Sequence, residues 1–170
     1  MADSTDFDGL VTTYYGMLYQ FAFSLTRDEA EACDLTQQTF CVWANKGHQL
    51  RDKSKVKTWL FTTLHREFLG TRRRQNRFPH IELEFAAADL PVVSPPSVNH
   101  LDASLVLQAL AQLDEIYQAP VALLYLQDHS YNEIAEVLNV PLGTVKSRLT
   151  RGLSRLHQLL TTVQPQPPKP

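Results

Sequence analysis

Long apolar runs, alternating strands, cysteines and glycine-rich loops are scarce in this sequence, and each shortage argues against a class of protein. The uncharged apolar runs are far shorter than the roughly 20 residues that a membrane-spanning helix needs. The N-terminus carries Asp3, Asp6 and Asp8 and lacks the basic region that opens a signal peptide. We therefore expect neither a membrane segment nor a secreted protein, and a cytoplasmic location follows.

Metal, redox and enzyme chemistry have little support. The two cysteines, Cys33 and Cys41, would lie about 12 Å apart along one helix, which is too far for a disulfide. Neither belongs to a zinc-ligand pattern, so both are expected to be small buried hydrophobic residues, and no metal or other cofactor is expected. A glycine-rich phosphate loop and a nucleophile elbow are also missing. We interpret His65 and His129 as surface residues rather than bases, and we do not expect an enzyme.

Helical spacing of apolar residues predicts an all-α fold. The first three helices are predicted at 8–25, 28–44 and 55–74, with a loop at 47–54, and could form one bundle. A second helical unit would follow, with helices predicted at 102–113, 117–127, 130–138 and 142–160.

The chain is expected to divide into two small domains. The segment between them contains four prolines and predicts a semi-stiff linker. Pro120 is expected in the first turn of its helix, since an interior proline costs about 3 kcal/mol. The predicted parts are a domain at 7–77, a linker at 78–100, a domain at 101–160 and a disordered tail at 161–170.

Lysine and arginine are absent from Phe78 to Val145, a stretch that holds nine acids. The net charge of −2 argues against a nucleic-acid binder, but the bases are concentrated elsewhere. Lys55 to Arg77 contains seven bases and one acid, and bases return at 146–155. Such segregation creates local positive surfaces that attract phosphate.

Residues 131–153, YNEIAEVLNVPLGTVKSRLTRGL, predict a helix-turn-helix. Ser130 and Glu133 form a capping-box pattern, and Asn139-Val140-Pro141 predicts the turn. The second helix would bury an apolar face and present basic and hydroxyl side chains that suit a major groove. A solvated basic face is the alternative. The candidate groove-facing residues are Thr144, Ser147, Arg148, Arg151, Ser154 and Arg155.

The third predicted helix carries a second basic edge. Trp59 would lie beside Thr62, Arg66 and Arg73, and an aromatic ring next to guanidinium groups can stack unpaired bases. The arginines at 72–74, with Arg77, would hold backbone phosphates. A half-buried core tryptophan and a solvated helix end are the alternatives.

Three ordered segments together resemble one family. They are D34-LTQQTF-40, V56-KTWLFTTL-64 followed by R72-RR-74, and S130-YNEIAEVLNVPLGTVKSRL-149. This order is similar to the extracytoplasmic-function (ECF) sigma factors of bacteria, the two-domain members of the primary-type sigma family. The resemblance implies a dissociable subunit that directs core RNA polymerase to specific promoters and helps to melt them.

The resemblance also implies roles for residues. The first domain would dock on the β′ clamp helices and read the minus-ten element, with the 50–55 loop capturing a flipped base. The second would rest on the β flap and read the minus-thirty-five element, and the linker would thread toward the RNA exit channel. An anti-sigma factor is an expected partner. The implied polymerase contacts are Asp34, Gln37, Gln38 and Phe40; the minus-ten contacts are Lys53, Lys55, Trp59, Thr62, Arg66, Arg72, Arg73 and Arg74; the minus-thirty-five contacts are Thr144, Lys146, Ser147, Arg148, Arg151 and Arg155.

Three positions depart from the family pattern, and Pro120 is one of them. Arg66 stands where family members often carry asparagine, so the minus-ten sequence that this chain prefers is expected to differ. Asp114 stands where proline is common, which bears on where the following helix starts. Two other functions remain open: a helix-turn-helix regulator that binds DNA without polymerase, and a sigma mimic that only sequesters an anti-sigma protein. The regulator predicts polymerase-independent binding to a palindrome, and the mimic predicts no promoter-directed transcription.

Overall fold

A computed structural model describes residues 4–77 and 100–163. No strand occurs in these two ranges, and the all-α prediction is confirmed. Two 3₁₀ turns, Gly47–Gln49 and Lys53–Lys55, occupy the predicted loop after the second helix. The predicted linker, apart from His100, and the tail beyond Val163 lie outside the described residues. The helices are α1 (Ser4–Thr26), α2 (Glu29–Lys46), α3 (Val56–Arg77), α4 (His100–Ala111), α5 (Glu115–Tyr125), α6 (Tyr131–Leu138) and α7 (Leu142–Val163).

The N-terminal half is a three-helix bundle in which α2 and α3 both pack against α1. Its core includes Leu18, Phe21, Leu60 and Phe61, each with no exposed surface. The Asp28 carboxylate accepts a hydrogen bond from the Glu31 backbone N–H at 2.8 Å and caps the start of α2. This cap satisfies one of the free N–H groups at the helix start.

Local signals determine the helix-turn-helix of the C-terminal half. The Glu133 carboxylate accepts a hydrogen bond from the Ser130 N–H at 2.7 Å, and the Ser130 hydroxyl accepts one from the Glu133 N–H at 3.2 Å. The predicted capping box is therefore confirmed. Asn139 ends α6 in the left-handed region with φ 53°, a conformation that asparagine tolerates better than most residues. Both ends of α6 are thus set by its own sequence.

Pro120 corrects the prediction for α5. The helix begins at Glu115, so Pro120 is its sixth residue and lies inside the helix rather than in its first turn. The Asp114 carbonyl accepts hydrogen bonds from the N–H groups of Tyr117 at 2.9 Å and Gln118 at 3.2 Å. Helix α5 therefore starts two residues earlier than predicted, and the Asp114 side chain makes no capping hydrogen bond there.

The two halves pack together. Helix α1 lies against α4 and α5, and α3 lies against α6. The Arg27 guanidinium donates a hydrogen bond to the Leu113 carbonyl at 3.1 Å. The two helical domains are therefore in contact with each other rather than joined by the chain alone. The candidate DNA-binding arginines remain outside this junction or at its edge: Arg66, Arg73, Arg74, Arg151 and Arg155 are exposed, and Arg72 and Arg148 are half-buried.

Three side chains differ from their expected exposure. His129 is 2% exposed, so its interpretation as a surface residue is wrong, and His65 is half-buried. Cys33 is partly buried, but Cys41 is exposed and is not the small core residue expected. Within the described ranges, no group of His, Cys, Asp and Glu could hold a metal ion. None of the described helices is long and apolar enough to cross a membrane.

Both histidines lie where the halves meet, and burial lowers the pKa of each. For His65 on α3, burial is the main cause and the nearby charge of Arg148 on α7 adds to it, so that the pKa falls from 6.5 to about 4. For His129, burial again comes first, followed by the positive charge of Lys57. Glu133 acts on His129 in the opposite direction. Both imidazoles are therefore neutral in the folded chain near pH 7.

Acid is expected to destabilise the fold through these histidines. The unfolded chain takes up protons first, because each folded pKa lies below the ordinary value of 6.5. Their contribution is complete above that value and declines as the pH falls below it, by up to about 1.4 kcal/mol per pH unit for each histidine. Urea unfolding at several pH values from about 7.5 down to about 5.5 measures how the free energy of unfolding depends on pH. His65→Gln and His129→Gln should flatten it, whereas the exposed control His157→Gln should not.

Candidate nucleic-acid interface

Helix α7 separates an apolar face from a basic face. Val145 and Leu149 are buried at 0% and 1% exposure, whereas Leu142 at the start of the helix is 38% exposed. Of the predicted groove-facing residues, Ser147, Arg151, Ser154 and Arg155 are exposed, and Thr144 and Arg148 are half-buried. Lys146, which the family resemblance added, is also exposed. Because the apolar face is held by the core, the basic face is directed outward.

Close packing of α7 against α5 holds that surface in place. Gly152 is buried, and a Cβ added there would lie 2.7 Å from Cγ2 of Val121 and 3.1 Å from Cβ of Tyr117. The absence of a side chain therefore allows the two helices to approach. At the other end, the Pro141 carbonyl accepts hydrogen bonds from the N–H groups of Thr144 and Val145 and starts α7.

Trp59 lies at the edge of a groove beside α3. Its ring packs edge-on against Trp43 of α2, with ring centroids 5.0 Å apart and planes 78° apart. The ring is half-buried, so one part contacts the core and the rest faces the groove. Sequence reasoning missed Trp43 as the support of Trp59, because it lies 16 positions away on another helix. The groove has a volume of about 280 Å³ and is lined by Lys55, Thr58, Trp59, Thr62, Arg66 and Glu136, among others.

Replacing Gly47 with alanine is expected to disturb this aromatic pair. Gly47 is buried, and a Cβ there would lie 2.5 Å from Cδ2 of Trp43, too close for any real contact. The ring must shift, and overpacking of this kind costs about 1–3 kcal/mol. Urea unfolding measures the loss of stability. Gly70→Ala on α3 is the matched control, because nothing lies within 4 Å of its added Cβ; an equal loss in both variants would contradict the packing argument.

The turn before α3 presents two lysines in an ordered backbone. The Asp52 carboxylate accepts hydrogen bonds from the Ser54 hydroxyl at 2.6 Å and from the Ser54 N–H at 3.0 Å. The bond from the hydroxyl, followed by that from the N–H, lowers the pKa of Asp52. Lys53 and Lys55 are exposed on this turn. The predicted lysine contacts therefore have a defined position beside the groove.

The arginines that end α3 form a cationic surface next to a second groove. The Arg72 guanidinium lies over the Phe68 ring at 5.3 Å from its centroid, while Arg73 and Arg74 are exposed. Stacking on an aromatic ring limits the conformational freedom of a guanidinium group and leaves the N–H groups at its edge available for hydrogen bonds. Arg72 and Arg74 line a groove of about 380 Å³ between α2 and α3.

The predicted polymerase contacts occupy the same side of α2, with one exception. Asp34, Gln37 and Gln38 are exposed, and Asp34 and Gln38 line the groove between α2 and α3. Phe40 is 6% exposed, with its ring stacked on Tyr15 at 6.3 Å. In this structure Phe40 is a core residue, and its prediction as a surface contact needs correction. A helix of this sequence turns Phe40 toward α1, where burial of an aromatic ring is favourable.

Comparison with known proteins matches both halves of the chain. Residues 10–78 match the family model of sigma-70 region 2, and residues 103–156 match that of sigma-70 region 4. The ECF RNA polymerase sigma factor SigL of Mycobacterium tuberculosis is 32% identical over 89% of this chain and 86% of SigL. The ECF RNA polymerase sigma factor SigE of Mycolicibacterium smegmatis is 32% identical over 90% of this chain, which spans 61% of SigE.

A solved structure matches the whole arrangement. The sigma factor RpoE of Bartonella quintana, in complex with the anti-sigma factor NepR, superposes with a TM-score of 0.76 at 28% identity. The match covers 94% of this chain and 99% of RpoE. With the two sigma-70 regions in order and relatives matched along nearly its whole length, the chain belongs to the ECF RNA polymerase sigma factors.

Proposed function

We propose that this sigma factor is a dissociable promoter-specificity subunit of bacterial RNA polymerase and a two-domain member of the primary-type sigma family. The part at 7–77 melts and reads the minus-ten element, and the part at 101–160 reads the minus-thirty-five element as duplex. The segment 78–100 threads toward the RNA exit channel. Catalysis belongs to the polymerase, so the chain is not itself an enzyme and acts in the cytoplasm with that partner.

The outward basic face of α7 is the observation that carries this proposal. Arg151 and Arg155 are exposed on a helix whose opposite face is fixed in the core. An arginine in the major groove can bind guanine through two hydrogen bonds or contact phosphate. Lys146 and Ser147 stand near the start of the same helix, the end that enters the groove in helix-turn-helix proteins. Arg148 and Thr144 complete the set.

The α3 edge supports a role with separated strands. Trp59 offers part of an aromatic face beside Thr62 and Arg66, and bases stack on such rings with little dependence on sequence. Unstacking a base costs a few kcal/mol, which stacking and phosphate contacts offset. The arginines at the end of α3 and the lysines before it, Lys53 and Lys55, supply the phosphate contacts.

Exposed polar residues of α2 support docking on polymerase. Asp34, Gln37 and Gln38 bind the β′ clamp helices, and the second domain rests on the β flap. An anti-sigma factor is the proposed regulator, supported by the Bartonella relative that was solved with one. A helix-turn-helix regulator that binds DNA without polymerase would not need this docking surface.

Run-off transcription with core polymerase tests the proposal. A promoter library is transcribed with and without the protein, and template-specific transcripts are expected only when it is present. Tight binding to isolated duplex DNA without any transcript would instead favour a regulator that acts without polymerase. Capture of an anti-sigma protein without transcripts would favour a sigma mimic.

A further inference from the structure

The Trp43 ring is restrained from two sides at the end of α2. A Cβ built on Gly47, in the turn after the helix, would lie 2.5 Å from Cδ2, 2.6 Å from Cε2 and 2.9 Å from Cε3 of this ring. The backbone of the turn therefore lies against the indole, and the Gly47 N–H donates a hydrogen bond to the Trp43 carbonyl. Because the helix and the turn both confine it, the Trp43 side chain has little room to change rotamer.

The other contact of this ring is with Trp59 on α3. The two ring planes stand 78° apart with centroids 5.0 Å apart, so one ring presents its edge to the other. Such a pair is favourable, because the positive edge of one ring meets the negative face of the other. Both rings are half-buried, and Trp59 lines the groove beside α3. The contact therefore restricts the tilt of a ring that would otherwise turn more freely at the surface.

The tilt of Trp59 is important for the base stacking proposed at this groove. A base stacks on an aromatic ring when the two planes are nearly parallel, and a functional geometry must be held to within about 10–20°. A tryptophan that sampled several rotamers would have to be ordered when the base binds, which lowers the affinity. A neighbour whose own rotamer is locked by packing removes this need. Trp43 is such a neighbour.

Helix α2 also carries the residues proposed to dock on polymerase. Asp34 and Gln38, two of them, are exposed on this helix, and Trp43 lies in its last turn. The opposite face of α2 is fixed in the bundle, where Thr36 and Thr39 have no exposed surface. Their hydroxyls donate hydrogen bonds to carbonyls of the same helix at 2.7 and 2.8 Å. Whatever positions α2 on a partner therefore also positions Trp43.

We propose that Trp43 is a positioning residue that sets the angle of the Trp59 ring, so that an unpaired base of the melted strand can stack there. It also links that ring to the helix that docks on polymerase. The inference rests on the proposed functions of the α3 edge and of α2. In this role Trp43 does not touch DNA. Its loss should therefore lower the yield of open complexes, whereas polymerase binding and recognition of the upstream duplex should be unchanged.

Trp43→Leu tests this role in the polymerase complex. Permanganate reactivity should show about fivefold fewer open complexes, since an edge-on aromatic contact and the ordering of one side chain each shift an equilibrium by about two- to tenfold. Trp43→Phe keeps an aromatic edge and should recover most of the loss. Phe23→Leu removes a different aromatic contact of the bundle, that with Tyr19 on α1. It is the matched control and should give native yields at a temperature where every variant is folded.

A double-mutant cycle shows whether Trp43 acts through Trp59. If it does, Trp43→Leu combined with Trp59→Leu should give the same open-complex yield as Trp59→Leu alone. Additive losses would mean that Trp43 has an effect independent of the Trp59 ring, and they would overturn the proposal. A loss of polymerase binding in Trp43→Leu as large as its loss of open complexes would also overturn it.

Fluorescence of the free chain gives a measurement that does not depend on DNA. The sequence has two tryptophans, so replacing Trp43 leaves Trp59 as the single emitting indole. The emission anisotropy of Trp59 should be lower in Trp43→Leu than in Trp43→Phe, because the unsupported ring moves more during the excited-state lifetime. Equal anisotropy in the two folded variants would show that something other than the residue at position 43 holds the ring.

The outcomes separate this inference from the function of the groove. Native open-complex yields in Trp59→Leu would remove the stacking role, and the positioning role of Trp43 would fall with it. Reduced yields in Trp59→Leu together with native yields in Trp43→Leu would overturn the positioning role alone. Promoter-dependent run-off transcription by the native chain would still stand in that case.

Discussion

Arg151→Ala is expected to lower transcription from a cognate promoter by about tenfold or more, because it removes about 1–3 kcal/mol of base or phosphate contact. Arg151 is exposed near the middle of the basic face of α7 and makes no contact that the core depends on. The folded structure should therefore be unchanged. Footprinting of the polymerase complex should show weakened protection of the upstream duplex.

Two further variants define what Arg151 does. Arg151→Lys keeps the charge but loses the bidentate hydrogen bonding by which arginine recognises guanine. Substantial recovery of activity would indicate a phosphate contact, and persistent loss would indicate base reading. Gln158→Ala, exposed farther along α7, is the control and should behave as the native chain. Native upstream protection and native transcription in Arg151→Ala would contradict the assignment.

Arg66→Ala is expected to reduce the yield of open complexes by about tenfold, since stacking or phosphate contact at this edge contributes about 1–3 kcal/mol per base. Arg66 is exposed and lines the groove beside Trp59 and Thr62. Permanganate reactivity of unpaired thymines measures the yield. Upstream-duplex protection should remain, because α7 is unchanged.

A pre-melted promoter separates two roles of Arg66. If the side chain stabilises melting, a template with a mismatched minus-ten bubble should restore the activity of Arg66→Ala. If it reads a base, the bubble should not help, and the variant should instead prefer a different minus-ten sequence. Arg66→Lys retains the charge and should recover only what depends on charge. Open-complex yields equal to those of the native chain on every template would contradict both roles.

Local signals account for the parts that sequence reasoning predicted well. The Ser130 and Glu133 capping box needs only residues three apart, and it is found with both hydrogen bonds made. The two faces of α7 follow from a repeat of 3.6 residues per turn. Arg151 and Arg155 could therefore be placed on the outer face before any tertiary contact was known.

Residues that depend on another helix could not be placed in this way. The Trp43 ring supports Trp59 from α2, and Phe40 turns toward α1 instead of the surface. Pro120 was expected in a first turn, but α5 begins at Glu115, two residues before the predicted start. In each case the deciding contact or hydrogen bond is not encoded by the spacing of apolar residues.

Helix content, the capping box and the outward basic face of α7 follow from the order of residues, because short-range hydrogen bonds and helical periodicity depend only on neighbours along the chain. The junction between the halves does not follow from that order. His129 looked like an ordinary loop histidine and is instead packed against Phe61, 68 positions away and 4.7 Å distant. Only folding brings such pairs together, since long-range packing is a property of the assembled core, and it is this packing that places Glu136 on the groove beside Trp59.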